Sequence, residues 1–211
     1  MAVAVCLVFA MGIGATLAVL TQKTAVVTNT FTVGNGFAKD AVTLDEAKVD
    51  PDTHKADDAQ PRVQTNSYHN IMQGDEFDKD PQVHVAANSA SCYMFVNITG
   101  LDALAAHGIT TEINASWTKA DKTTGLDGIY RYKAVVPKSE TKQDLDKVFE
   151  TLTVADKADI YGADGVAKTL ENVTIQACAV QSENVDGWDA ALKLAVWGTD
   201  SATTDTTAAA E

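Results

Sequence analysis

Histidines, cysteines and one run of carboxylates are the side chains in this sequence whose chemistry could build a reactive or metal-binding site. His54, His69, His84 and His107 are well separated, and none has a helical i+4 partner of its own kind. A zinc site would have to be assembled from distant segments by the fold; the plainer expectation is four histidines exposed on loops or strands. In GDEFDKD (residues 74–80), Phe77 and Lys79 stand where an EF-hand places its second and third oxygen ligands, so a solvated turn leading into a strand is expected rather than a calcium loop. Asn97, Asn114 and Asn172 open glycosylation sequons, but all three fall in segments patterned as strands and read as ordinary polar residues of a β face. There is no H-E-x-x-H, C-x-x-C, G-x-S-x-G or P-loop. No catalytic residue, metal ligand or cofactor is therefore assigned, and no hydrolytic activity is expected. Cys92 and Cys178 are left as a possible disulfide: both lie in strand-like segments, with two buried free thiols as the alternative.

Composition narrows the classes further. The chain has 211 residues, a hydrophobic fraction of 45% and a formal net charge of −13. That is enough apolar material for one packed domain. Phosphate binding needs clustered positive charge, so nucleic acid is not an expected partner, and anionic membrane surfaces are disfavoured for the same reason.

Residues 3–20, VAVCLVFAMGIGATLAVL, form an uncharged apolar run followed by small residues. The pattern fits a secretory signal peptide over 1–18, cut between Ala18 and Val19, with Thr16 and Ala18 as the small residues before the cut. The only membrane contact expected is through this uncleaved leader. No Lys or Arg precedes the run, which departs from the usual basic start of such leaders.

The rest of the chain, 19–198, reads as short strands. Val27, Phe31 and Val33 share one face of a first strand, opposite Thr28, Thr30 and Thr32. Val42-Thr43-Leu44 continue after a Gly-Asn-Gly turn. Residues 45–67 are polar and acidic with no apolar period, and read as a loop. Strand alternation returns at 82–87, at 93–98 (apolar on both faces), at 113–118, at 129–136 and at 173–181. Helical period is brief. Leu101, Leu104 and Ala105 give one turn ended by Gly108. A capping-box-like TKQD precedes Leu145, Val148 and Phe149. Asp186 could cap a segment with Trp188, Ala191, Leu192, Ala195 and Val196 on one face. Residues 199–211, SATTDTTAAAE and its flank, have no apolar face and read as a disordered tail. The expectation is an all-β, antiparallel β-sandwich with a few short helices.

Several motifs, in order, resemble those of the TasA/camelysin family of exported proteins of Gram-positive bacteria. These are GATLA at 14–18 with TFTVGN at 30–35, NIMQGD at 70–75 with KDPQV at 79–83, YMFV at 93–96, WTK at 117–119, YRY at 130–132, LDKV at 145–148 and VTIQACAVQ at 173–181. Gln73 stands where the family usually has Pro. The resemblance implies a jelly-roll-like sandwich, processing by the signal peptidase SipW, a secreted or cell-surface location, and a homopolymeric extracellular matrix (biofilm) fibre as the destination. Camelysins have also been classed as metallopeptidases, a label that no motif in this chain carries. A secreted surface-binding module is the remaining alternative. Once cut, the new terminus would run Val19-Leu20, then Ala25, Val26 and Val27 to Phe31 and Val33, a segment suited to donation as a strand to a neighbouring copy.

Overall fold

The eight-residue strand at the centre of the protein is apolar on both faces, and the architecture follows from burying both. The computed structural model describes Phe37 and residues 40–197. The expected leader 1–18, its expected cleavage point Ala18/Val19, the segment 19–33 and the expected tail 199–211 lie outside the described residues. Among the described residues the strands are β1 (Val42–Asp45), β2 (Glu76–Asp78), β3 (Gln82–Val85), β4 (Cys92–Thr99), β5 (Ile109–Thr110), β6 (Trp117–Lys119), β7 (Gly128–Tyr132), β8 (Gln143–Asp144), β9 (Thr151–Val154) and β10 (Thr174–Gln181). The helices are α1 (Leu101–Ala106) and α2 (Gly187–Leu194). The strands form three antiparallel sheets, ordered β1-β3-β8, β10-β4-β7-β6 and β2-β9-β5. The protein is thus mostly β, as expected of an all-β sandwich. All the described residues belong to one compact unit, 35–211.

Successive side chains of a strand point to opposite faces. On β4, Cys92, Met94, Val96 and Ile98 enter the main core, where they meet Val83 and Val85 of β3, Phe77 of β2 and Leu152 and Val154 of β9. Tyr93 and Phe95 point the other way, into a smaller cluster with Ala191. There α2 closes the outer face, and Trp188 sets its ring edge-on to both Tyr93 and Phe95. The helix is shorter than its apolar pattern suggests and ends at Leu194, with Ala195 already extended and Val196 exposed.

α1 has no capping side chain of its own. Asp127 supplies the cap from the loop before β7, accepting from the N–H groups of Gly100, Leu101 and Asp102 at 3.0, 2.7 and 3.1 Å. Gly100 must be glycine: its φ is +93°, and a Cβ there would lie 2.2 Å from the Asn172 carbonyl oxygen.

The expected helix at 141–149 fails: these residues are not helical. Gln143 and Asp144 form β8 on β3, and Leu145 and Val148 donate their N–H groups to Val83 and Pro81. The apolar spacing was real, since Leu145, Val148 and Phe149 are all core residues, but backbone pairing with β3 won over a local helix. Past the end of β1, residues 46–67 are a loop, as expected, but a partly buried one. They fold back through bridges between Glu46 and Val63 and between Val49 and Ala56, and bury Glu46, Ala47, Val49 and His54.

Ion pairs hold this excursion. Arg62 Nε donates to Asp45 Oδ1 at 2.5 Å and its Nη1 to Asp80 Oδ2 at 3.0 Å. Asp80 also accepts from the Ala47 N–H at 2.6 Å and pairs with Lys147. Burial is the largest single effect and pushes its carboxyl up, but these donors together hold it below the ordinary range. Replacing Arg62 with Ala would take one partner from each of two carboxylates, leaving Asp80 with the Ala47 N–H and Lys147 and Asp45 with His84. A loss of about 1–3 kcal/mol is expected, read from the urea midpoint.

On the far side, Asp146 accepts from Lys133, Ser116 and Tyr132, and these hydrogen bonds pull its carboxyl down to about 2. A depressed carboxyl stabilises the fold above its unfolded value of about 4. That stabilisation is expected to fade as pH falls from about 4 towards 2. In Asp146→Asn, the acid unfolding profile should lose this component while the profile above pH 5 keeps its shape.

Candidate functional site

β1 and β10 each end their sheet among the described residues. They lie side by side without being ladder partners, and between them runs a groove of about 1730 Å³. Val42 and Leu44 of β1 and Ile175 and Ala177 of β10 face it, packed against the main core yet only half-buried. Its floor is core: Phe77, Leu104, Ile109 and Leu152. The segment 65–72 forms one wall, with Tyr68 and Ile71 packed on the core and Met72 exposed.

Local hydrogen bonds fix that wall. The Tyr68 hydroxyl donates to the Asp78 carbonyl at 3.0 Å, and burial, with the charges of Glu46, Asp78 and Asp80, raises its phenol well above the ordinary range. The Tyr68 ring packs on Phe77, which in turn takes His54 edge-on at 4.8 Å. The acidic lining is stronger than the basic one. Asp40, Asp45, Glu46 and Glu171 face the groove, against Lys79 and Lys168.

The expected exposure of the histidines is wrong for two of them. His84 is buried, with Nδ1 2.6 Å from Asp144 and Nε2 2.8 Å from Asp45, so it ties β3 to both of its neighbours. His54 is buried too, its Nε2 2.6 Å from the His69 carbonyl oxygen. His69 is exposed, and His107 is half-buried with its Nδ1 2.9 Å from the Asp159 carbonyl oxygen. Among the described residues no group of three His, Cys, Asp or Glu side chains is arranged to hold a metal ion. The carboxylates of 74–80 also differ from a solvated turn: Asp78 accepts from the Ala56 N–H and pairs with Lys55, and Asp80 is buried in the Arg62 cluster.

The possible disulfide is a correction. Cys92 and Cys178 are both free. β10 and β4 pair with Cys178 opposite Phe95 and Cys92 opposite Gln181. The two cysteines are therefore three positions apart, about 10 Å along adjoining strands, and on opposite faces of the sheet. Bonding needs Cα atoms within about 7 Å. Burial pushes the Cys92 thiol up to about 11 and also raises that of Cys178.

The segment expected to act in assembly, Val19, Leu20, Ala25, Val26, Val27, Phe31 and Val33, lies outside the described residues. The groove itself escaped the sequence reading. Val42-Thr43-Leu44 and 173–181 were visible as strands, but nothing in a pattern shows that two strands end their sheets next to one another. Tyr68 and Ile71 stand as isolated apolar residues in a polar stretch, which was the one available sign of the wall.

No protein-family model, curated protein or solved structure matches the chain.

With no bond between Cys92 and Cys178, the urea midpoint is expected to be the same with and without reductant, and the denatured chain to label at both positions without prior reduction. A midpoint that drops in reductant would contradict the register of β4 and β10.

Proposed function

We propose that this protein is a secreted structural subunit that polymerises into extracellular matrix fibres, each copy receiving a strand from its neighbour in the groove between β1 and β10. The observation that carries the reading is a pair of strands that end their sheets among the described residues and whose apolar side chains, Val42, Leu44, Ile175 and Ala177, stay half-buried along the groove. Apolar surface left in water costs about 25 cal/mol per Å². A strand laid into the groove would bury it and extend a sheet by main-chain pairing. The ordered motifs shared with the TasA/camelysin family support the same reading, and a jelly-roll topology, export through the leader and processing by SipW belong with it.

The donated segment begins at Val19 and carries the alternating residues Ala25, Val27, Phe31 and Val33. Head-to-tail donation does not close on itself, so it propagates a filament. While the leader is attached, the segment is tethered, and assembly waits for cleavage.

Deleting Val19 to Ala25 from the processed chain is expected to leave a folded monomer by circular dichroism that forms no fibres in negative-stain images taken over days. A complementary change, Ala177→Glu, puts a carboxylate in the groove and should also stop fibres. Fibres of normal morphology from the deletion would refute strand donation.

A further inference from the structure

Beside the groove, in the wall formed by residues 46–79, three side chains meet in an arrangement that fibre assembly does not require. Glu46 is buried just past β1, and each of its carboxylate oxygens holds a different side chain. Lys79 Nζ lies 2.6 Å from Oε2, and Asn66 Nδ2 lies 3.1 Å from Oε1. The Glu46 and Lys79 side chains are only 8% and 12% exposed. The Asn66 amide is fixed at both ends by backbone: Oδ1 accepts from the Val49 N–H at 3.0 Å, and Nδ2 donates to the Ala47 carbonyl at 2.7 Å. Those contacts determine that the nitrogen, and not the oxygen, faces Glu46. Tyr68 adds an aromatic ring close to the same carboxylate, whose charge acts on its phenol.

One buried carboxylate thus accepts from an amine on one oxygen and from a carboxamide on the other. We propose that Lys79 and Asn66 condense into an intramolecular isopeptide bond, with Glu46 carrying the protons. Glu46 takes one proton from the Nζ ammonium, and the neutral amine attacks Asn66 Cγ. The Nζ–Cγ bond forms, and negative charge develops on Oδ1, where the Val49 N–H already donates. Glu46 passes its proton to Nδ2 and takes a second from Nζ. The Cγ–Nδ2 bond breaks and ammonia leaves. Glu46 is left as the neutral acid until that proton follows to solvent.

The setting favours each step. An ion pair withdrawn from water carries a desolvation cost, so moving a proton from Nζ to Oε2 exchanges two buried charges for none. Holding both reactants on one group replaces a bimolecular encounter with a unimolecular one. Departure of ammonia to solvent makes the step irreversible. The product joins positions 66 and 79 and covalently closes the segment that bears Tyr68, Ile71 and Met72 along the groove.

The test uses the full chain, folded and held at neutral pH, then denatured and digested with trypsin. Without the bond, cleavage after Arg62 and Lys79 releases the fragment 63–79 at its unmodified mass. With it, Lys79 is no longer a trypsin site, and the fragment 63–119 appears, lighter by one ammonia. Asn66→Asp should form the same bond with loss of water, so its 63–119 fragment should match the wild-type mass. Lys79→Arg should be cut normally at full mass. Glu46→Gln should slow bond formation at least about a hundredfold, the usual worth of a placed general acid–base. If folded wild-type protein yields 63–79 alone at unmodified mass, Lys79 and Glu46 form an ion pair only and the proposal fails. A Glu46→Gln chain that cross-links at the wild-type rate would remove Glu46 from the mechanism. The readout is independent of fibres, so it stands or falls separately from the assembly reading.

Discussion

A carboxylate cannot be withdrawn from water without a partner, and the stretch from Asp45 to Asp80 withdraws several. Asp80 is the point where the excursion closes. It takes the Ala47 N–H, Arg62 and Lys147, and so joins the end of β1, the returning chain and the 145–149 segment in one cluster. Asp45 is shared between Arg62 and His84, and His84 reaches on to Asp144, so the three strands of the β1-β3-β8 sheet are linked by the same charges. In a chain with 16 Lys and Arg against 29 Asp and Glu, such cations are scarce, and this one region uses three of them at Asp45, Glu46 and Asp80. The position of the groove wall follows, because Tyr68 hangs between this cluster and Phe77.

The second constraint is β4. With apolar residues on both faces it can only be an inner strand, so it needs a ladder partner on each side and a layer on each face. β10 and β7 provide the ladders. The main core covers one face and α2 the other. Among the described residues that leaves β10 at the end of its sheet, with its half-buried side chains next to β1. The groove is therefore a consequence of where the two-faced strand lies, and not an added feature.

The parts of this fold that were legible in the sequence are those governed by local alternation. β3 and β10 fall inside the segments whose period-2 pattern marks them, β4 and β7 overlap theirs with ends one residue outside, and α1 ends where Gly108 stops it, with φ at +82°. What was not legible depends on distant partners. Leu145, Val148 and Phe149 have helical spacing, but the backbone there bonds to β3. β9 went unmarked because Thr151 to Val154 offers only two buried residues, and its place is set by pairing with β2 and β5. The buried histidines and the Glu46, Asn66 and Lys79 group are joined across 15 to 60 residues, a separation over which no spacing rule operates. Cys92 and Cys178 are the instructive pair: both lie in strands that do pair, yet a register three positions apart puts them on opposite faces.

Charge also bears on how a strongly acidic protein could join its own copies. At a net −13 two copies repel each other, but that repulsion is screened beyond about 8 Å at physiological salt. Closer in, the balance depends on local charge. The groove lining carries four carboxylates and two lysines, one of which, Lys79, is already committed to Glu46. Residues 19–33, VLTQKTAVVTNTFTV, contain no Asp or Glu and one cation, Lys23. Under the proposed donation, a fifteen-residue stretch free of carboxylates would meet the acidic rim without like-charge repulsion. In that assembly the acidic surface elsewhere would oppose contacts between copies in other orientations.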